Sequence, residues 1–169
     1  MPPAPLFCHR PAELAPAGGT GFLGVEPEAE PERGRTPVRV TVCELPNGSE
    51  AFQSAWDRLC AHTAGASTDL VLLPEMPFAP WLAGDRPGPE ADVAQRWARA
   101  VEDHERWIGR LGDLEAVVVS GTRPVVLGGR RLNQAFVWTR ASGAVPLHEK
   151  RYLPEEEGFW EAGWYDRGD

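Results

Sequence analysis

Asp69-Leu70-Val71-Leu72-Leu73-Pro74-Glu75 is the stretch on which the fold turns. Its apolar run is short and unbroken, the pattern of a strand buried on both faces of a parallel sheet. Pro74 ends the run and leaves Glu75 at the strand's carboxyl end. Upstream, Val38 to Cys43 alternates and is rich in β-branched residues, which predicts a second strand. Between the two, Ser49 to about Ala64 places Phe52, Ala55, Trp56, Leu59 and Cys60 on one helical stripe, with Asn47 or Ser49 as the N-cap. Downstream, a Pro- and Gly-rich loop runs from Met76 to Gly88. Pro89 suits a first helical turn, with Glu90 and Asp92 near its positive end. Val93, Trp97, Val101, His104, Ile108 and Leu111 then recur at helical spacing. Glu115 to Gly121 is a third buried strand. Arg123 to Leu127, Asn133 to Arg140 and Ala144 to His148 read as further strands, joined by turns at Gly128-Gly129 and Ser142-Gly143. The order β-α-β-α-β followed by a meander predicts an α/β fold. Its mixed sheet has right-handed crossovers and helices on one face.

Composition narrows the class. The chain has 169 residues, 42% of them hydrophobic and 25% charged, which is enough for one domain with a core. A net charge of −8 argues against a duplex nucleic-acid partner, which selects a basic footprint. No apolar run is long enough to span a bilayer, so no membrane association is expected. The three cysteines, Cys8, Cys43 and Cys60, form no CxxC pair. Their odd number points to a reducing compartment, and so to a cytoplasmic protein. Residues 1–36 are dominated by Pro, Gly, Ala and Glu and read as a disordered tail, leaving 37–169 as the folded domain. The tail contains Gly19-Thr20-Gly21-Phe22-Leu23-Gly24, which fits GxGxxG. Flanking prolines deny it the strand and helix that a dinucleotide loop needs. His104-Glu105 and His148-Glu149 begin an HExxH pattern, but Ile108 and Tyr152 replace the second histidine. No cofactor and no metal are expected.

Three residues stand where chemistry is plausible. Glu75 lies outside the carboxyl end of a strand, where open α/β sheets bind ligands, and suits a general base. Lys150 is the only lysine among seventeen Lys and Arg residues. A compact ammonium there can hold an oxyanion. Glu161 sits among aromatics in Gly158-Phe159-Trp160-Glu161, a setting in which a carboxylate needs a partner such as Lys150. Each also has an ordinary reading: a loop carboxylate, a surface cation beside Glu149, and a capping residue.

Together these residues resemble a family. A strand ending Leu72-Leu73-Pro74-Glu75, a later strand bearing Asn133, a turn glycine at Gly143, and His148-x-Lys150-x-x-Leu153-Pro154 are similar to the carbon-nitrogen hydrolase, or nitrilase, superfamily. The closing pattern Gly158-x-x-Glu161 followed by Tyr165-x-x-Gly168-Asp169 is similar to its amidase and carbamoyl-amide-hydrolysing branches. The resemblance implies an αββα sandwich and a Glu-Lys-Cys triad acting on a small amide, carbamoyl or nitrile substrate. It makes Glu75 the general base, Lys150 the oxyanion holder and Glu161 the second, orienting glutamate. The family's cysteine lies several tens of residues beyond the lysine, so none of the three cysteines here fits. Cys43 and Cys60 read as core. The chain is therefore expected to be a truncated, N-terminal half of the sandwich, inactive alone. A C-terminal half in trans or a homo-oligomer would complete it. Phe78, Trp81, Trp160 and Trp164 are expected near the site. Two rival readings are a non-catalytic small-molecule-binding or assembly module and a decayed reading frame.

Overall fold

The computed structural model describes residues 37–47 and 49–169. The tail, with Cys8 and the glycine motif, lies outside the described residues. In chain order the elements are β1 (Val40–Val42), α1 (Ser49–Ala66), β2 (Leu70–Leu72), α2 (Glu90–Ile108), β3 (Val118–Leu127), β4 (Arg130–Thr139), β5 (Gly143–Glu149), β6 (Glu155–Glu156), β7 (Phe159–Trp160) and α3 (Glu161–Trp164). Strands β1 to β5 form one sheet in sequence order. β1, β2 and β3 are parallel, while β4 and β5 run antiparallel. This is the mixed sheet that the sequence predicts.

Alternation sorts the sheet's faces. Thr41, Val71, Val119, Trp138 and Ala144 lie in register across all five strands. The first four are buried. Val71, Val119 and Trp138 pack with Phe52, Trp56 and Leu59 of α1 in one apolar cluster, and Ala144 packs against it. α1 and the end of α2 therefore cover this face. The neighbouring row, Val42, Leu72, Ser120, Val137 and Val145, must point the other way. Val42 is 53% exposed and Val145 is 41% exposed. A second cluster gathers Met76, Leu82, Val93, Trp97, Trp164 and Tyr165. It ties α2 to the loop after β2 and to α3.

Two details differ from the sequence reading. The two predicted strands at 115–121 and 123–127 are one continuous β3, beginning at Val118. β2 pairs only as far as Ser120, so residues beyond it on β3 have one neighbour, β4. Pro124 lies in that singly paired stretch, where a missing N–H is tolerated. Pro89 is the N-cap of α2 rather than its first residue. Asn47 Oδ1 accepts the backbone N–H of Trp81 at 2.6 Å. The turns fall where expected, with Gly128 at φ 58°, Gly129 at φ 78° and Gly143 at φ 65°. These are conformations that glycine adopts without strain.

Candidate active site

Three separate elements deliver the three singled-out residues to one point. Glu75 leaves β2 through Leu73 and Pro74. Gly121 of β3 lets this segment pass close by, since a Cβ there would stand 3.1 Å from the Leu73 Cβ. Lys150 follows β5. Partners skip from Ala135↔His148 to Phe136↔Pro146, so Leu147 is an extra residue in β5. This bulge moves every later residue along by one, and Lys150, not Glu149, lies opposite Asn133. The Lys150 N–H donates to the Asn133 carbonyl at 2.9 Å. The Lys150 carbonyl in turn accepts the Gly168 N–H at 2.9 Å. A Cβ on Gly168 would meet the Glu149 backbone oxygen at 2.5 Å, so only glycine permits this approach. Glu161 begins α3, whose Trp164 is buried and donates its indole N–H to the Asp85 carbonyl at 2.8 Å.

The side chains converge on the ammonium. Lys150 Nζ donates to Glu75 Oε1 at 2.8 Å. It also lies 2.9 Å from Glu161 Oε1 and 2.8 Å from Glu161 Oε2. Asn133 Nδ2 donates to the same Glu75 oxygen at 2.6 Å. Asn133, marked in the sequence only as part of a strand, thus grips the carboxylate. The side chain of Glu161 is 2% exposed, that of Lys150 31% and that of Glu75 38%. Burial alone would lower the Lys150 pKa. Its hydrogen bonds and the charges of Glu161 and Glu75 outweigh burial and raise it above the ordinary lysine value of 10.5. The buried Tyr165 hydroxyl is held far above the usual phenol range, by burial first and then by Glu161. No partner meets hydrogen-bond geometry for that hydroxyl among the described residues.

Beside Glu75 opens a groove of about 400 Å³ lined by Pro46, Pro74, Met76, Trp81 and Phe159, among others. Of the four aromatics expected here, Trp81 lines it. Phe78 instead joins the α1 cluster, and Trp164 is core. Trp160 lies under the Arg86 guanidinium, 4.2 Å from its ring centre. Phe159 takes the second place in the groove. A two-residue strand has no periodicity by which the sequence could mark it.

Cys43 is buried at the end of β1, its Sγ donating to the Leu72 carbonyl at 3.5 Å. Cys60 is half-buried on α1 and its pKa is raised, mainly by burial. Both belong to the α1 side of the sheet, in keeping with the core role expected of them.

The architecture defines a fold class. The fold is that of the carbon-nitrogen hydrolases. The carbon-nitrogen hydrolase from Helicobacter pylori G27 matches with a TM-score of 0.58 at 18% identity, over 78% of this chain and 45% of that one. A double mutant of the amidase from Nesterenkonia sp. AN1, in complex with acrylamide, matches with a TM-score of 0.57 at 17% identity, over 80% and 52%. A glutamine-dependent NAD(+) synthetase from Cytophaga hutchinsonii matches with a TM-score of 0.54 at 17% identity, over 77% and 22%. The chain thus spans about half the length of the first two. No known family pattern and no curated protein matches the sequence. Another form of the Nesterenkonia amidase carries acrylamide added at its active-site cysteine. No described helix is long and apolar enough to cross a membrane.

Proposed function

We propose that the chain carries the base and oxyanion half of an amidase-type carbon-nitrogen hydrolase. The observation that carries this reading is one ammonium held between two carboxylates of opposite exposure beside an apolar groove. Glu75 reaches the groove and accepts a proton from a cysteine thiol supplied outside residues 37–169. The thiolate attacks the carbonyl carbon of a small amide or carbamoyl substrate. Lys150 Nζ faces the oxyanion as it forms and stabilises it more strongly in this half-buried setting than water would. The proton leaves with the departing nitrogen, and water then hydrolyses the thioester to the acid. Glu161 touches none of the reacting atoms. It fixes Lys150 and balances its charge. An amide or carbamoyl group fits the motif spacing better than a nitrile does.

The exposed row Val42, Leu72 and Val145 suits a second layer that supplies the thiol. That layer is a C-terminal half in trans or a second subunit. Supplying a cysteine-bearing half of a related hydrolase and measuring ammonia release from primary amides tests the reading. Release that depends on both halves supports it. Release unaffected by Glu75→Gln and Lys150→Ala refutes the assigned roles. The apolar groove favours one second reading, a non-catalytic module that binds a small amide. In that case amides raise the melting temperature, and no complement yields turnover.

A further inference from the structure

Sheet pairing reaches the segment that carries Glu75 at Leu73, whose N–H donates to the Ser120 carbonyl at 2.9 Å, and side chains add to the hold beyond it. Met76, next in the chain, has φ 40°, a left-handed conformation that a side-chain-bearing residue adopts only when its surroundings enforce it. Two side chains supply the enforcement. Thr122 Oγ1 of β3 accepts the Met76 N–H at 2.9 Å. His104 of α2 accepts the Phe78 N–H on Nε2 at 3.3 Å. The histidine is 1% exposed. Its Nδ1 stands 2.7 Å from the Ala100 carbonyl, which can only accept, so the proton is on Nδ1 and the lone pair is on Nε2. The ring also packs against that of Phe78, with centroids 5.3 Å apart. Burial pushes the His104 pKa down to about 4, which keeps the acceptor form at neutral pH.

Resting on Glu75 as the base, we infer that His104 and Thr122 are positioning residues that set the Glu75 carboxylate against Lys150 through the Met76–Phe78 loop. His104 sits at a core position of an amphipathic helix, so sequence periodicity reads it as packing. Its acceptor atom is the part that packing does not require. Ring volume alone does not hold the Phe78 amide, and an unpaired amide buried there would favour a different loop conformation.

The chain offers its own reporter. Lys150 is the only lysine, so lysine labelled with ¹⁵N at Nζ gives one signal, from the site itself. The experiment compares the pH titration of that signal in the wild type, His104→Phe, His104→Gln and Thr122→Val. Phe keeps the ring and loses the acceptor, whereas Gln keeps an acceptor oxygen. The expected result is a fall of about one pH unit in the midpoint for His104→Phe, as Glu75 withdraws, with His104→Gln restoring the wild-type value. Thr122→Val is expected to lower it in the same direction, and it reads the same contact if the Phe variant does not fold. An unchanged midpoint in a folded His104→Phe or Thr122→Val protein overturns the inference. So does a fall that His104→Gln fails to reverse. The signal reports geometry and not turnover, so the roles assigned in catalysis stand or fall separately, by the rate of the completed enzyme.

Discussion

Two regions each hand Lys150 a carboxylate, and they are built in opposite ways. The loop after β2, residues 73–79, has little regular structure. It is shaped by a strained Met76 and by side chains from β3 and α2. Its Glu75 faces the open groove. The segment from Pro154 to Tyr165 is anchored by its own backbone. Glu161 and Ala162 both donate N–H groups to the Pro154 carbonyl, and Trp164 is sunk into the core. Its Glu161 is almost wholly buried. One region presents a carboxylate on the groove, the one to which the proposed function gives the proton transfer. The other presents a fixed counter-charge. The contrast sets an open carboxylate against a buried one, although both are glutamates bonded to the same ammonium, and the proposed function assigns reacting to the first and holding to the second.

Breaking the shared ammonium gives the largest effect. Lys150→Met leaves Glu161 buried without its counter-charge, and such a break costs about 3–5 kcal/mol. Chemical denaturation should show a correspondingly lower midpoint. Next comes acid. The folded His104 titrates near 4, well below the ordinary 6.5. It is neutral when folded and protonates more readily when unfolded. Stability is therefore full above pH 6.5 and falls as the pH drops towards about 4, by roughly 3 kcal/mol. Asp103 on its own helix opposes this and Arg123 on β3 adds to it, both weakly beside burial. A His104→Gln protein should lose that part of the acid slope.

The two glutamates then sharpen the comparison directly. Glu161→Gln should cost about 1–3 kcal/mol, because a buried charge-assisted contact is lost. Glu75→Gln, at a partly exposed pair, should cost under about 1 kcal/mol. Equal costs would remove the distinction between reacting and holding regions. The smallest effect lies at alkaline pH. The Lys150 pKa is raised, so its contribution is complete below pH 10.5 and is lost as the pH climbs through the higher folded value. That extra alkaline slope should vanish in Lys150→Met.

The residues that the sequence made legible are those whose chemistry is scarce. A carboxylate at a strand end, a single lysine in an arginine-rich chain and a glutamate among aromatics each stood out, and the structure joins all three. What stayed hidden depends on contacts between distant segments. Gly121 and Pro124 look like breaks in a strand. In the fold, Gly121 admits the Leu73 side chain, and Pro124 lies where β3 has only one neighbour. The bulge at Leu147 leaves no mark in the sequence, yet it decides that Lys150 rather than Glu149 lies opposite Asn133. Asn47 has the chemistry of a cap, and its oxygen is taken by a loop 34 residues away. His104 fits a helical stripe so well that its polar edge goes unnoticed.

The claim that Glu75 reacts while Glu161 holds is tested most directly by the rate of amide hydrolysis in the completed enzyme. The measurement is ammonia release with a cysteine-bearing half supplied, comparing wild type with Glu75→Gln at equal folded concentration. The account predicts a loss of about 10²–10⁴-fold, the contribution of a positioned general base, with stability nearly unchanged. A variant that keeps the wild-type rate would contradict it.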